Sequence, residues 1–509
     1  MGCKLIISRK IISIVIISAW MVVIFSTGSG AAPIRAGVSK INITKDKPTG
    51  LVNDPLYAKA LVFDDGKTKA VIITMDLVNI HDTELIEIRS RIRNELKIPG
   101  DNVMINASHN HWVNDQLAED YIDRTVKAVK EASLKMVPVK VGAGAGIEKR
   151  ITMNRRLILT NGKEWTIRRA TPEPQDEYIK GIVDAFDPEI GILRLDKADG
   201  KPLAVLFTFA DHNYTGVPNR GTTAGFPGFA SKVIEENLGN GVIAMFMQGA
   251  AGDVTPVLYK DVNAPKQDEM HGTLLGLSTL QAFRNITVKK DAGVSVIREE
   301  LLLPARTDIQ RHIDSLEAKK KVILDYFKGE GCGAHGAGTK LNFKSFLPLY
   351  IKNMMSPQYP SDYSYRYMQE KKIGINDLEA MDADNKRDME KYLNNIYKME
   401  ELIVTEANLG YLRNSELQNP IKAEMMGLKI GDFVLVTFSG EVFARIGLNI
   451  KKVSPYDHTF VAGYTNGAVG YSPTPDAYNG DAYEVSLSTL APEWQKIFEE
   501  KAQEIIKKL

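Results

Sequence analysis

The length, composition and charge of the chain are those of an ordinary globular protein, and they exclude several other classes. The chain has 509 residues, of which 44% are hydrophobic and 25% charged, with 64 basic and 63 acidic side chains. The hydrophobic content is too high for a disordered chain, and the formal net charge of +1 argues against a nucleic-acid-binding protein. The two cysteines, Cys3 and Cys332, cannot form a disulfide framework that holds the fold together.

The N-terminus carries a targeting signal. Lys4, Arg9 and Lys10 precede an uncharged apolar run over residues 11–25, and small residues follow that run. This arrangement is typical of a secretory signal peptide. The run of 15 residues is shorter than the about 20 apolar residues that a membrane helix needs. We therefore predict a signal peptide over residues 1–31 in preference to a retained N-terminal anchor, and in both cases an exported protein, which is secreted, periplasmic or held at the cell surface.

Beyond this signal, strands and helices alternate along the chain. Residues 70–76 and 102–107 are short apolar runs, and between them a helix can begin at Asp82 or Thr83. This order predicts an α/β fold, with α+β as the alternative, in which helices surround a mixed β-sheet core. The apolar face of the helix would consist of Leu85, Ile88, Ile92 and Leu96. Further strands are predicted over 203–210, 242–247, 433–438 and 459–464, and a C-terminal amphipathic helix with Trp494, Ile497, Phe498, Ile505 and Leu509 on one side.

A charge-rich stretch from about residue 308 to 412 differs from the rest of the chain. Helical spacing over 315–327 and 378–402 predicts helices, and a Gly-rich and an aromatic stretch separate them. We interpret this stretch as a helical insertion within one domain that spans residues 34–509. Two roles are open for it: a lid or lipid-facing wall that includes the aromatic and Met-rich stretch 347–367, or a packed structural subdomain.

Three of the predicted strands end in side chains that can bind a metal ion. One strand runs into His109 and His111, and later strands run into His212 and Glu441. Ligands of open α/β sheets bind beyond the carboxyl ends of the strands, so these side chains could converge. Imidazole nitrogen and carboxylate oxygen suit zinc, and a catalytic zinc keeps one position open. The pattern indicates a metal site at the strand ends, although His-X-His is a weak motif and each residue alone also fits an ordinary structural role.

Seven segments taken together resemble one known family. In chain order they read DPLYAKALVFDDG, NASHNHW, TMNRR, FADHN, GAAGDVTP, SGEVF and GYTNGAVGYSPTPDAYNGDAYE. They are similar to the signature segments of the neutral (non-lysosomal) ceramidases, over about residues 34 to 490. The resemblance implies a zinc-dependent amidohydrolase that cleaves the N-acyl bond of ceramide or a related N-acyl lipid. The products would be a free fatty acid and a sphingosine-like amine, and the lipid substrate would be met at a membrane surface.

The resemblance also implies which residues form the site. His111 would lie beside the metal and pass a proton to the leaving amine, since imidazole titrates near pH 6.5. Arg155, favoured over Arg156, and Tyr483 would donate hydrogen bonds to the developing oxyanion. Zinc would polarise the amide carbonyl and lower the pKa of its bound water from about 15.7 to near 7. One zinc ion per chain would be bound by four residues, His109, His212, Glu441 and Tyr471.

The sequence departs from the family pattern near several of these residues. Thr255 stands where ceramidases have a serine; it keeps the hydroxyl but adds a methyl group that stiffens the side chain, and we retain it as a candidate catalytic residue. Trp112-Val113-Asn114 and the Tyr-Ser-Pro-Thr element at Tyr471 also differ from the family, and both changes can reshape the substrate pocket.

Two expectations concern the whole protein. The chain ends soon after Tyr483, so we expect a catalytic domain without the C-terminal immunoglobulin-like domain of the ceramidases. Two alternatives to N-acyl-lipid hydrolysis also stay open. One is a zinc hydrolase of another ester or amide, and the other is a non-catalytic exported protein that binds a lipid or a sugar.

Overall fold

A computed structural model gives the fold of most of the chain. It describes residues 33–167, 176–183, 185–257, 266–329, 342–355, 377–414, 419–479 and 482–509. The predicted signal peptide lies outside these residues, as do Cys332 and part of the stretch 347–367.

The described residues form strands and helices in the following order. The strands are β1 (Arg35–Asn42), β2 (Tyr57–Asp64), β3 (Lys69–Met75), β4 (Val103–Ala107), β5 (Val137–Ile147), β6 (Thr152–Asn154), β7 (Arg156–Leu159), β8 (Glu164–Thr166), β9 (Ile179–Ile182), β10 (Glu189–Lys197), β11 (Pro202–Phe209), β12 (Ile243–Gln248), β13 (Val254–Pro256), β14 (Val294–Leu303), β15 (Ile421–Ile430), β16 (Phe433–Phe438), β17 (Glu441–Val442), β18 (Thr459–Ala462) and β19 (Tyr471–Ser472). The helices are α1 (Asp82–Leu96), α2 (Tyr121–Leu134), α3 (Gly225–Leu238), α4 (Asp268–Phe283), α5 (Ile309–Gly329), α6 (Phe343–Met355), α7 (Asp377–Asn414), α8 (Ala444–Val453), α9 (Tyr483–Leu487) and α10 (Trp494–Lys508).

A mixed eight-stranded sheet is the centre of the fold. Its strand order is β12-β11-β10-β5-β1-β2-β3-β4. The β11–β12 and β3–β4 pairs are parallel, whereas the other neighbours are antiparallel. A second sheet, in the order β14-β15-β16-β18, is antiparallel except for its β16–β18 pair. The alternation of strand and helix therefore produces a mixed sheet, as the sequence predicts.

The two sheets pack face to face between two layers of helices. Phe63 and Leu206 of the large sheet share a core with Met426 and Phe433 of the second sheet. The opposite face of the large sheet packs against α1 and α2 at one end and against α3 and α4 at the other. The second sheet is covered by α8 and α10, where Trp494 is fully buried. This α/β/β/α layering confirms the predicted fold class, a mixed β-sheet core with surrounding helices.

The elements predicted from apolar periodicity are present, and most ends differ by a few residues, but α5 begins six residues earlier than predicted and α7 ends twelve residues later. Helix α1 buries Leu85, Ile88 and Ile92, three of the four residues of its predicted apolar face, and Leu96 is partly buried. Strand β16 has the predicted bounds. The last predicted strand is shorter and ends at Ala462, because the chain then turns sharply at Tyr464, which has a positive φ of 53°.

The helical insertion lies between two adjacent strands of the second sheet. Helices α5, α6 and α7 all follow β14, and the chain then returns as β15, which pairs with β14 along its whole length. Helices α5 and α7 pack together, and Lys319 of α5 forms an ion pair with Glu401 of α7 at 3.1 Å. The domain bounds stay a prediction. Among the described residues, no helix is both long and apolar enough to cross a membrane.

The two edge strands of the large sheet approach each other at their carboxyl ends. The backbone N–H of Gln248, at the end of β12, donates to the side-chain oxygen of Asn106 in β4 at 2.9 Å. The amide of Asn106 donates in turn to the carbonyl of Gly463 at 2.9 Å, beyond β18 of the second sheet. Because β11 is the neighbour of β12, this curvature brings the ends of β4 and β11 to one place.

The buried carboxyl of Asp76 at the end of β3 makes stability depend on pH. Burial raises the pKa of Asp76 to about 6, against the opposing effect of Lys59. A carboxyl with a raised pKa in the folded protein stabilises the fold below its unfolded pKa of 3.8, and that contribution is lost as pH rises through about 6. Between pH 4 and 7 the loss is up to about 3 kcal/mol.

We therefore expect Asp76→Asn to flatten the pH dependence of stability. The difference in free energy of unfolding between the variant and the wild type should shift in favour of the variant as pH rises from 4 to 7, because the neutral amide has no charge to desolvate. Urea unfolding of both proteins at pH 4.5 and pH 7 measures this difference. Asp291→Asn, at an exposed position, is the matched control and should leave the profile unchanged. Equal profiles for wild type and Asp76→Asn would contradict the prediction.

Candidate metal centre

The histidines lie on two loops that leave the sheet where its edges meet. His109 follows β4 and has a left-handed backbone with a φ of 53°. Three residues after the end of β11, His212 stands on the loop whose Asn213 carbonyl accepts a hydrogen bond from the N–H of His111 at 3.1 Å. This backbone bond joins the two loops and sets the spacing of the three rings.

The three imidazoles converge through their Nε2 atoms. The Nε2 of His109 lies 3.0 Å from the Nε2 of His212 and 3.1 Å from that of His111. His109 and His212 are each 2% exposed, whereas His111 is exposed at the opening of the site. Among the described residues, this cluster is the group of three whose ligand atoms lie within 4.8 Å of one another and could hold a metal ion.

The hydrogen bonds on the other ring nitrogens leave the cluster with nitrogen lone pairs that could hold a metal ion. The Nδ1 atoms of His109 and His212 each lie 3.0 Å from a backbone carbonyl, those of Val78 and Ala251. A carbonyl only accepts, so each Nδ1 donates, and burial holds the pKa of both rings well below the ordinary range. Both Nε2 atoms then present lone pairs to each other. A cation between them removes that repulsion, and two nitrogens bound to one tetrahedral zinc lie about 3.3 Å apart.

Glu441 and Tyr471 reach the same point from the second sheet. They are Cα partners in the short parallel pair of β17 and β19. The Oε2 atom of Glu441 lies 3.5 Å from the Nε2 of His109, and the Tyr471 hydroxyl interacts with the same carboxylate. Burial is the main cause that raises the pKa of Glu441 to about 7, with Arg155 acting in the opposite direction. The four residues predicted as ligands are therefore neighbours in space, with His111 beside them.

Arg155 is a buried cation at the inner wall of the cluster. Its Nε donates to Glu484 at 2.7 Å, and its Nη2 donates to the carbonyl of Gly252 at 2.9 Å and to the Tyr471 hydroxyl at 3.2 Å. The Arg155 side chain is 5% exposed and that of Glu484 is fully buried. Arg156 points elsewhere and forms ion pairs with Asp253 and Glu164. The structure thus places Arg155, the favoured arginine, beside the cluster.

Tyr483 and Thr255 approach the cluster through other aromatic residues. The ring of Tyr483 lies 5.5 Å from that of Tyr471, centroid to centroid, in an edge-to-face arrangement. Thr255 is 1% exposed, and its hydroxyl forms a hydrogen bond with the hydroxyl of Tyr214. The Tyr214 ring lies 4.7 Å from the ring of His212. Thr255 is therefore linked to His212 through Tyr214.

Three residues of the site were not predicted from the sequence. Tyr214 lies between Thr255 and His212, Glu484 is the carboxylate partner of Arg155, and Tyr464 packs its ring against His109. Glu484 directly follows Tyr483, and Tyr464 is the second residue of the segment that contains Tyr471. The sequence position of Glu484 or of Tyr464 does not indicate a functional role unless its neighbours in space are known.

The link between Thr255 and Tyr214 gives a testable prediction. Thr255→Val keeps the shape of the side chain but removes the hydroxyl, and we expect it to lower the turnover number about 10-fold. Residues that support the metal ligands without binding the metal typically contribute about 10- to 100-fold to activity. Thr255→Ser keeps the hydroxyl and should stay within about twofold of wild type. Steady-state kinetics of both variants measures the effect. A Thr255→Val variant as active as wild type would contradict it.

A cavity of about 220 Å³ opens beside Tyr483 and is walled by the helical insertion. Its lining includes Trp165 of β8, Leu316 of α5, Val404 of α7 and polar groups such as Asn408. A second cavity of about 290 Å³ shares Trp165 and Val404 with the first and continues along the contact between α5 and α7. The insertion therefore contributes to a groove that ends at a candidate catalytic residue.

The fold and the imidazole cluster define this chain as a mixed α/β protein with a candidate metal centre, and known structures share that fold. A neutral ceramidase from Pseudomonas aeruginosa is similar with a TM-score of 0.59 and 15% identity, over 94% of this chain and 75% of that chain. A ceramidase complexed with C2 is similar with a TM-score of 0.60 and 15% identity, over 93% of this chain and 75% of that one. No protein-family model and no curated protein matches the sequence. At this identity the likeness establishes the fold alone.

Proposed function

We propose that this protein is a zinc-dependent amidohydrolase that cleaves the N-acyl bond of ceramide or a related N-acyl lipid. The observation that carries the proposal is the meeting of two neutral, buried imidazoles with Glu441 and Tyr471. It is supported by the fold, which is that of neutral ceramidase structures. The products would be a fatty acid and a sphingosine-like amine.

The donor set fits one divalent ion per chain. In the proposal His109, His212, Glu441 and Tyr471 hold zinc, and His111 stands at the open side. Zinc bound there supplies a Lewis acid for the amide carbonyl and lowers the pKa of bound water. Nitrogen and oxygen ligands of this kind suit zinc better than magnesium or calcium, which take oxygen ligands almost exclusively.

Arg155 and Tyr483 are the residues proposed to stabilise negative charge on the substrate oxygen. Arg155 is fixed by its bonds to Glu484 and Gly252, so its charge needs no reorganisation during the reaction. Its bond to the Tyr471 hydroxyl orients that hydroxyl as a ligand. Tyr483 lines the cavity, and its ring contacts that of Tyr471, so a bound amide is proposed to lie next to it.

His111 is proposed to move the proton that the leaving amine needs. Its ring is exposed at the opening while its Nε2 atom points at His109. Burial and the nearby charge of Arg155 lower the pKa of His111 to about 4, so the ring is neutral at neutral pH. It would take a proton from the attacking water and pass it to the leaving nitrogen as the bond breaks. The short distance to His109 also makes His111 a possible third nitrogen ligand, and metal analysis of His111→Ala separates the two roles.

The groove beside Tyr483 is proposed to receive part of the lipid. Its lining combines apolar side chains, Trp165, Leu316 and Val404, with polar ones such as Asn408. A ligand with both a chain and hydroxyl groups matches this mixture. The proposal thus favours the lid or wall role for the helical insertion over the role of a packed subdomain.

Filling the groove should change substrate preference. We expect Val404→Trp to raise the KM for a long-chain ceramide about 10-fold while a short-chain analogue is affected less, because the indole occupies the space that the longer lipid needs. The matched control is Ile403→Trp, at a position on the same helix that is 59% exposed. Kinetics with both substrates measures the effect. Equal KM values for Val404→Trp and the wild type with the long-chain ceramide would argue against lipid binding in the groove.

The decisive test of the proposed function combines metal analysis with an assay. Purified full-length protein should contain about one zinc per chain and hydrolyse a fluorescent ceramide, and a chelator should remove both properties. A panel of esters and non-lipid amides separates this substrate from the alternatives. If the protein contains stoichiometric zinc and hydrolyses another acyl bond but no N-acyl lipid, the proposed substrate is wrong. If the purified protein is free of metal and inactive, the proposal that it is a zinc enzyme is wrong. We further propose that the protein is exported, on the basis of residues 1–31.

A further inference from the structure

Tyr464 lies against two of the proposed metal ligands at once. Its ring centroid is 4.1 Å from that of His109, with a tilt of 36° between the planes. Its hydroxyl donates to the Oε2 atom of Glu441 at 3.4 Å. The residue is 1% exposed, so solvent does not compete for either contact. One side chain therefore touches the imidazole from the large sheet and the carboxylate from the second sheet.

The backbone of Tyr464 is held in a conformation that tyrosine disfavours. Its φ is 53°, in the left-handed region that glycine and asparagine adopt readily and in which a bulky side chain is an outlier. Two backbone bonds fix it there: its N–H donates to the carbonyl of Gly440 at 3.1 Å, and its carbonyl accepts from the N–H of Ala107 at 3.0 Å. Gly440 directly precedes Glu441, and Ala107 lies two residues before His109. The strained residue thus ties together the two chain segments that carry these ligands.

We infer that Tyr464 is a positioning residue of the metal centre, an inference that rests on the proposed function. Its hydroxyl fixes the orientation of the Glu441 carboxylate, and its ring fixes the plane of the His109 imidazole. Glycine would suit the same turn without strain, so the turn itself does not require a tyrosine here. Strained backbone that is kept by surrounding bonds concentrates at functional sites, and groups that orient metal ligands typically contribute 10- to 100-fold to metal affinity or activity.

The test separates positioning from packing, since Tyr464 is also part of the hydrophobic core. Tyr464→Phe keeps the ring and the packing but removes the hydroxyl, and Tyr464→Leu removes the ring as well. Tyr456→Phe is the matched control, because the Tyr456 hydroxyl bonds to Lys429 at 3.1 Å, away from the site. For each full-length protein, zinc affinity is measured by competition with a chromophoric chelator. The visible absorption of the Co²⁺-loaded form reports ligand geometry independently of activity, and the melting temperature of the metal-free form reports packing.

We expect Tyr464→Phe to weaken zinc binding about 10-fold and to shift the Co²⁺ spectrum, while the melting temperature without metal stays at the wild-type value. Tyr464→Leu should weaken binding further, and Tyr456→Phe should match wild type in every measurement. A Tyr464→Phe variant with wild-type zinc affinity and Co²⁺ spectrum would overturn the inference. Wild-type protein that binds zinc but hydrolyses no N-acyl lipid would overturn the proposed function and leave the positioning role in place.

Discussion

His212→Ala is expected to lose its metal ion and to hydrolyse ceramide at least about 1,000-fold more slowly than the wild type. The variant removes one of two buried nitrogens that face each other at 3.0 Å. A catalytic metal contributes several kcal/mol of transition-state stabilisation, and each 1.36 kcal/mol corresponds to about tenfold in rate. Metal content by elemental analysis and kcat/KM on a fluorescent ceramide measure the two losses.

The control for this variant is another histidine of the same chain. His458 lies in the loop before β18, and its backbone carbonyl accepts from Val434 at 2.9 Å, away from the cluster. His458→Ala should keep both the zinc and the rate. If His212→Ala retained stoichiometric zinc with unchanged affinity, the proposed ligand set would be wrong.

Arg155→Met is expected to lower both the stability and the activity of the protein. The variant leaves the buried carboxylate of Glu484 without its cation, and breaking a buried ion pair by removing one partner typically costs about 3–5 kcal/mol. It also removes the donor that is proposed to stabilise the substrate oxygen, which should lower kcat about 100-fold or more. Urea unfolding and steady-state kinetics measure the two effects separately.

A second substitution distinguishes the structural effect from the catalytic one. Arg155→Met combined with Glu484→Gln removes the unpaired charge, while the amide can still accept the bond from the Thr166 hydroxyl, 2.6 Å long in the wild type. We expect most of the stability to return but not the activity. Lys289→Met breaks an exposed ion pair with Asp432 and should cost under about 1 kcal/mol. Recovery of activity in the double variant would refute a direct role for Arg155.

Much of the fold could be predicted because apolar periodicity is a local property of the chain. The strand that ends before Ser439 and the apolar face of α1 follow directly from the order of side chains. His109, His212 and Glu441 could be selected for the same reason, since they follow predicted strands, whereas Tyr471 could be selected only through the resemblance to the ceramidases. Their proximity could not be derived locally, because it depends on the contact between β4 and β12 through Asn106.

The residues missed by sequence reasoning share a physical cause. The place of Tyr464 is set by its positive φ and by two backbone bonds to segments more than 20 residues away. The pairing of Glu484 with Arg155 crosses 329 residues of chain. Contacts of this kind arise only after the sheets have packed, so no pattern within a short window of sequence reveals them.

The position of the helical insertion has a consequence for how such proteins can diversify. Strands β14 and β15 pair directly along ten residues, so a tight turn could connect them and leave both sheets intact. Longer connections cost little more, since the entropy of closing a loop grows only with the logarithm of its length. The helical insertion could therefore vary in length and sequence while the two sheets that carry the histidine cluster stay unchanged. If the insertion forms the proposed lipid groove, exchanging it between chains of this fold would change lipid preference without changing the histidine cluster.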